Sequence, residues 1–273
     1  MPKHSSKAKW AFSLIRAVIF CLCCAIVLAI SSRLVKGYSG RWSEVVAASV
    51  ASLGAFLLTA IFVKFEGLTL REVGALAGRH TTQRVLTGFI FGLLLAGTHC
   101  ALVLMSGNLT LVHVQGVDIA SVVSILLLYF ALSCREEFAF HGYPLRSLNY
   151  AIGPWPAQLI VALLFAVEHI VGGVSWTHAF LGAGVGSLLF GIVALKTKGV
   201  ALPIGLHAGW NFGQWSLGLK NEPGIWQTVV TSGYESRLDA IETLSYLIVM
   251  GLAILAFYFF YPKNSIHRGD PPY

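Results

Sequence analysis

Two adjacent acids, Glu136 and Glu137, lie in the run Ala131-Leu-Ser-Cys-Arg-Glu-Glu-Phe-Ala-Phe-His-Gly142, within a stretch that is otherwise apolar. An ionised carboxylate in hydrocarbon is costly, so acids at such depth face a wet cavity or a partner and mark functional sites by default. Two further polar elements interrupt apolar stretches: Phe165-Ala-Val-Glu-His169 and Leu206-His-Ala-Gly-Trp-Asn211. On a helix Glu136 and Glu137 are about 100° apart and cannot both point at one atom, so one faces a reaction centre while the other holds a structural partner. Glu137 and His141, four residues apart, share a face, as do His207 and Asn211. One acid, two imidazoles and a carboxamide suit hydrolysis. A glutamate and a histidine hold and deprotonate a water, while a second histidine and an amide donor stabilise the oxyanion of a tetrahedral intermediate. The same groups suit a divalent metal such as zinc, with Glu136, His169 and His207 as ligands and water in the fourth position. No HExxH is present, which excludes zincin geometry, and no Ser/His/Asp set stands out.

The elements that must position these residues are membrane spans. Of 273 residues 56% are hydrophobic and only 11% charged, with a mean hydropathy of +0.74; a soluble domain carries roughly a quarter charged residues. The composition requires an all-α, polytopic helical bundle forming a single integral-membrane domain over 1–273. About eight stretches reach spanning length: Trp10–Ile30, Ser43–Val63, Val85–Met105, Ile119–Ala139, Trp155–Val171, Phe180–Leu195, Val200–Leu217 and Ala240–Tyr261. Leu68 to Leu76 reads as a short interfacial helix, and Gly182–Gly186 as a site of close helix packing. If the fourth helix stopped at Arg135, Glu136 and His169 would lie at opposite edges. Gly153-Pro154 is the clearer break. A helix continuing to Gly153, kinked near Pro144, puts Glu136 17 residues before the turn and His169 16 after it, hence at one depth.

The net charge of +7 comes from basic residues placed singly at the ends of apolar segments, which is membrane orientation rather than nucleic-acid binding. With the N-terminus inside, thirteen basic residues fall on inner segments (among them Lys3, Lys7, Lys9, Lys263 and Arg268) against five on outer ones. That count puts both termini in the cytoplasm, in the inner membrane if the cell is bacterial. The five cysteines form no CxxC pair and read as small hydrophobes. His99, His113 and His178 have no matching motif and read as packing or loop residues.

The order Glu-Glu-x-x-x-x-Gly, Phe-x-x-x-His, His-x-x-x-Asn resembles the CPBP intramembrane proteases, also called the Abi or type II CAAX prenyl endopeptidase family, over roughly Leu126 to Gln214. The resemblance implies a catalytic core within 119–218 that hydrolyses a peptide bond in a membrane-anchored, prenylated or otherwise hydrophobic peptide or protein. It assigns water activation to Glu136 and His169, and oxyanion stabilisation to His207 and Asn211, with Glu137 and His141 in support. Family members are described both as metalloproteases and as glutamate-type proteases. One departure stands out: the family pattern has arginine five residues after the first glutamate, where this chain has His141. Two readings compete with the peptidase: a proton-coupled transporter, since intramembrane Glu and His also relay protons, and a non-catalytic immunity or scaffold relative.

Overall fold

The computed structural model describes residues 6–38, 40–220 and 222–260. Lys3, Lys263, Arg268 and Tyr261 lie outside them, as do the side chains of Lys7 and Lys9. Helix α1 (Ser6–Leu34) and helix α2 (Arg41–Glu66) form an antiparallel hairpin. They are followed by α3 (Thr81–Leu104), a strand β1 (Leu109–His113) and α4 (Ile119–Glu136). One π-helical stretch, Glu137–Gly142, joins α4 to α5 (Tyr143–Ile152); α6 (Pro154–Val171) returns from the Gly153 turn. A second π-helical stretch, His178–Gly184, leads into α7 (Val185–Thr197), then α8 (Ala201–Ser216), strand β2 (Trp226–Val230) and α9 (Glu235–Phe260).

Among the described residues seven helical segments are long and apolar enough to cross a bilayer, with Ile119–Ile152 counting as one. The helix containing Glu136 therefore does continue to the glycine turn. Gly142 (φ −79°, ψ −109°) and Pro144 distort it on the way, since proline lacks an N–H and clashes with the preceding turn. The expected seventh span corresponds to α8, which at 16 residues is short of a full crossing, yet twelve of those residues are buried. A helix apolar around most of its circumference belongs inside a bundle.

What seats α8 is backbone contact with α3. A Cβ on Gly88 or Gly92 would come within 2.2 Å of the Leu202 or Leu206 carbonyl oxygen, and one on Gly205 or Gly209 within 2.0 or 2.1 Å of Val85 or Phe89 oxygen. Two small-xxx-small faces interlock, the arrangement by which helices approach closely in lipid. His207 lies two residues from both Gly205 and Gly209, about 200° around the helix, so this packing turns His207 away from α3.

Two expectations need correction. Residues 68–76 make one turn, not a helix: Thr69 and Glu72 cap each other, but Gly67 (φ +67°) ends α2 and Gly74 (φ +70°) stops the next turn at once. The closest backbone-to-backbone glycine packing is between α3 and α8 rather than at Gly182–Gly186, where a Cβ on Gly182 would meet nothing within 4 Å, one on Gly184 only ordinary contacts, and one on Gly186 a side chain, Tyr246 Oη at 3.1 Å. Strands β1 and β2 pair antiparallel, Leu109 opposite Val230 through His113 opposite Trp226, as a small ribbon beside the bundle. Gly209→Ala is expected to destabilise the fold by about 1–3 kcal/mol, read as a lower Tm in detergent. Gly97→Ala, with no atom within 4 Å of the added methyl, should leave Tm unchanged or raise it.

Candidate functional site

Glu137 is fully buried and opens the π-helical stretch between α4 and α5. Its carboxylate receives two imidazoles: His141 Nδ1 at 2.8 Å from Oε2 and His207 Nδ1 at 2.9 Å from Oε1. A carboxylate only accepts, so both Nδ1 atoms carry the proton. The His141 ring is closed at its other end by Ser187 Oγ, 3.0 Å from Nε2. It fits beside α7 because residue 191 is glycine, whose Cβ would lie 3.2 Å from the ring and 1.9 Å from Gln158 Oε1. His141, closed by Ser187, therefore holds Glu137 from the position where the family pattern has arginine.

Glu136, one residue earlier, is oriented differently. Oε1 accepts from Arg135 Nη2 at 2.8 Å, and Oε2 lies 3.5 Å from His207 Nε2. The other arm of Arg135 reaches Glu168 Oε1 across the α4–α6 interface. Arg135 is 4% exposed, and its planar guanidinium fork clamps two carboxylates from facing helices. This contact shows α4 and α6 in the depth register that the turn at Gly153 implied, and it gives Glu168 a partner. Arg146 goes elsewhere, to the Ala194 carbonyl oxygen at 2.6 Å, so neither arginine reaches Glu137. The two acids do not share one atom, but they do share one ring, flanking His207 from its two nitrogens.

His169 donates Nδ1–H to the Phe165 carbonyl, 2.9 Å away, which directs its Nε2 lone pair away from its own helix. It lies within electrostatic reach of Glu136. The Phe165 ring centroid is 4.5 Å from His169 and 6.4 Å from His207, while Phe190 stacks on His207 at 4.2 Å. These aromatics fix both imidazoles and exclude water from their flanks. Asn211, one turn along α8 from His207, accepts at Oδ1 from Lys220 Nζ at 2.8 Å. With Oδ1 so occupied, the amide N–H groups point the other way. Lys220 also lies 5.0 Å from the Tyr129 ring centroid.

Sequence reading missed Ser187 and Lys220, each brought in from another segment with no local motif. Arg135 belongs to none of the three motifs, although the same depth argument that aligns Glu136 with His169 also places it opposite Glu168. A Ser/His/Asp contact exists after all: Ser175 Oγ and Asp239 Oδ1 each lie 2.8 Å from His178. Here the serine sits on Nδ1 and also accepts the His178 backbone N–H, which makes it an exposed turn cap linked to α9. His99 is a packing residue bonded to Gln214 and the Glu242 carbonyl, and His113 lies on β1 against Trp226. Among the described residues the cysteines are free thiols.

The metal alternative meets a poor fit in this arrangement. Among the described residues no three His, Cys, Asp or Glu side chains are gathered closely enough to hold an ion, and Arg135 already occupies one oxygen of Glu136.

Fold and site together define a polytopic helical membrane protein with a buried glutamate–histidine centre on α4, α6 and α8. Residues 118–213 match the family model described as type II CAAX prenyl endopeptidase Rce1-like. The matched segment contains all three motifs on which the sequence resemblance rests. No curated protein matches the chain.

Removing the central cation tests the clamp. Arg135→Met leaves Glu136 and Glu168 buried without a countercharge and should cost about 3–5 kcal/mol. Adding Glu168→Gln to that variant should recover part of the lost Tm in detergent, whereas Glu168→Gln alone should be milder than Arg135→Met.

Proposed function

We propose that the protein is an intramembrane endopeptidase of the glutamate type, cleaving a membrane-anchored or otherwise hydrophobic peptide. The observation that carries this reading is the unequal treatment of the two adjacent acids. Glu137 is saturated by His141 and His207, whereas Glu136 keeps one oxygen on the side where His207 Nε2 lies.

In this reading a water lies between Glu136 Oε2 and His169 Nε2. Glu136 takes its proton as the hydroxide oxygen attacks the scissile carbonyl. The carbonyl oxygen becomes an oxyanion and receives hydrogen bonds from the Asn211 amide and, in its doubly protonated form, from His207 Nε2–H. Donors fixed before the reaction are worth most in a site shielded from water. Glu136 then returns the proton to the leaving amine as the C–N bond breaks, releasing one new carboxyl and one new amino terminus. Arg135 holds Glu136 in place throughout and offsets its charge. No step requires a metal.

Lys220 acts as a positioning residue by fixing which end of the Asn211 amide faces the site. Burial brings its ammonium down to about 8, against the opposing pull of Glu136 and Glu222. The folded chain thus gives up this proton more readily than the unfolded chain. Stability from this group therefore rises with pH from about 8 towards the ordinary value of 10.5, while the hold on Asn211 weakens.

Purified full-length protein in proteoliposomes should cut membrane-anchored peptides, with new termini read by mass spectrometry. Glu136→Ala and His169→Ala should each lower turnover by about 10²–10⁴-fold, and Asn211→Ala by about 10²–10³-fold. Cleavage that survives Glu136→Ala would sink the assignment. Chelators should leave turnover unchanged; loss on chelation with recovery on adding a divalent ion would move the chemistry to a metal held by Glu136, His169 and His207. For Lys220, kcat should decline as pH rises through about 8, and Lys220→Arg should remove that limb while keeping activity at neutral pH.

A further inference from the structure

A cavity of about 400 Å³ opens at the end of the bundle that the charge count assigns to the cytoplasm, where the Gly67–His80 connection meets the α7–α8 turn. Its walls carry Arg71, Arg79, His80, Arg84 and Lys198, and no aspartate or glutamate is among the lining residues. The volume is within the roughly 300–1,000 Å³ of small-molecule sites. The nearest acid in the loop, Glu72, is turned into its own cap with Thr69 N–H and Oγ1 at 2.8 and 2.9 Å.

The walls are built rather than merely adjacent. The Val200 N–H donates to the Gly74 carbonyl at 3.1 Å, stitching the loop to the start of α8. A Cβ on Gly74 would meet Gly199 Cα at 2.6 Å. Arg84 Nη1 donates to the Thr197 carbonyl at 3.1 Å, which fixes one guanidinium at the rim. Lys198 has φ +55° and is the one non-glycine residue with positive φ among those described. It closes α7 as a left-handed C-cap and is among the residues that line the cavity. The α3 amino terminus, with its positive dipole end and no side-chain cap, completes the wall. Orientation of a membrane protein requires basic residues on this face but not their convergence on one concavity from three separate segments.

We infer that this cavity binds a phosphate-bearing anion, either the headgroup of an anionic phospholipid or a soluble phosphate. The site is distinct from the glutamate–histidine centre and does not depend on the peptidase reading. Its floor includes Ala201, the first residue of the helix that carries His207, so an occupied cavity braces that helix at its origin.

The test is a thermal-stability titration of the full chain purified in neutral detergent. Three probes are used: short-chain phosphatidylglycerol, short-chain phosphatidylcholine and inorganic phosphate. A ligand that binds only the folded state raises Tm saturably. A saturable rise with phosphatidylglycerol but not phosphatidylcholine assigns a lipid headgroup; a comparable rise with inorganic phosphate assigns a soluble anion. Both outcomes support the site. In either case the double variant Arg71→Gln/Arg79→Gln, altering exposed side chains that the fold does not need, should weaken apparent affinity about tenfold or more, as two charge-assisted contacts would. Arg33→Gln/Lys36→Gln, in the last turn of α1 and the connection that follows it at the other end of the bundle, should leave affinity unchanged. No rise with any probe, or equal weakening by the two double variants, overturns the inference.

Discussion

A carboxylate shut off from water must be surrounded by donors, and the geometry of this protein follows from how Glu137 meets that demand. One oxygen is given to His141 and the other to His207. The first bond is local, within the π-helical stretch that widens the helix after Glu136. The second joins segments 70 residues apart and locks α8 to the α4–α5 helix. Because Glu137 is satisfied in this way, His207 has a fixed tautomer and a fixed direction. Its remaining nitrogen is turned to Glu136 rather than left to rotate.

The three acids of the site are thus held in three different ways. Glu137 has imidazoles on both oxygens, Glu168 faces the arginine from across the α4–α6 interface, and Glu136 is shared between that arginine and the space near His207. Buried charges are tolerable only when paired and hydrogen-bonded, and Arg135 supplies the permanent countercharge for two of them. The replacement of arginine by His141 in the sequence pattern is accommodated by Ser187 and by the room left at Gly191, so the support of Glu137 is rebuilt from smaller parts.

Much of this was legible from spacing. The continuous helix to Gly153 and the shared depth of Glu136 and His169 follow from helical rise and from knowing where a glycine–proline pair breaks a helix. The i, i+4 pairs Glu137–His141 and His207–Asn211 each lie on one stretch of helix, where periodicity speaks directly. Periodicity is silent on contacts between segments. Nothing local ties Ser187 to His141 or Lys220 to Asn211. The α3 and α8 glycines, although spaced by four, declare their purpose only when the two backbones are seen together. The 68–76 segment misled for a different reason: its apolar residues recur at helical spacing, but Gly67 and Gly74 confine the backbone to a single turn.

The brevity of α8 bears on how such a protein is made. At about 24 Å it is shorter than a bilayer core of about 30 Å, and it carries a histidine, an asparagine, a glutamine and three glycines. Such a segment partitions weakly into lipid by itself. Its place is prepared by α3, synthesised well before it, whose glycine groove waits in the membrane for a partner. The docking that seats α8 against α3 is also what brings His207 to Glu137. A chain that has not yet docked this helix leaves one oxygen of the buried Glu137 carboxylate without its imidazole donor.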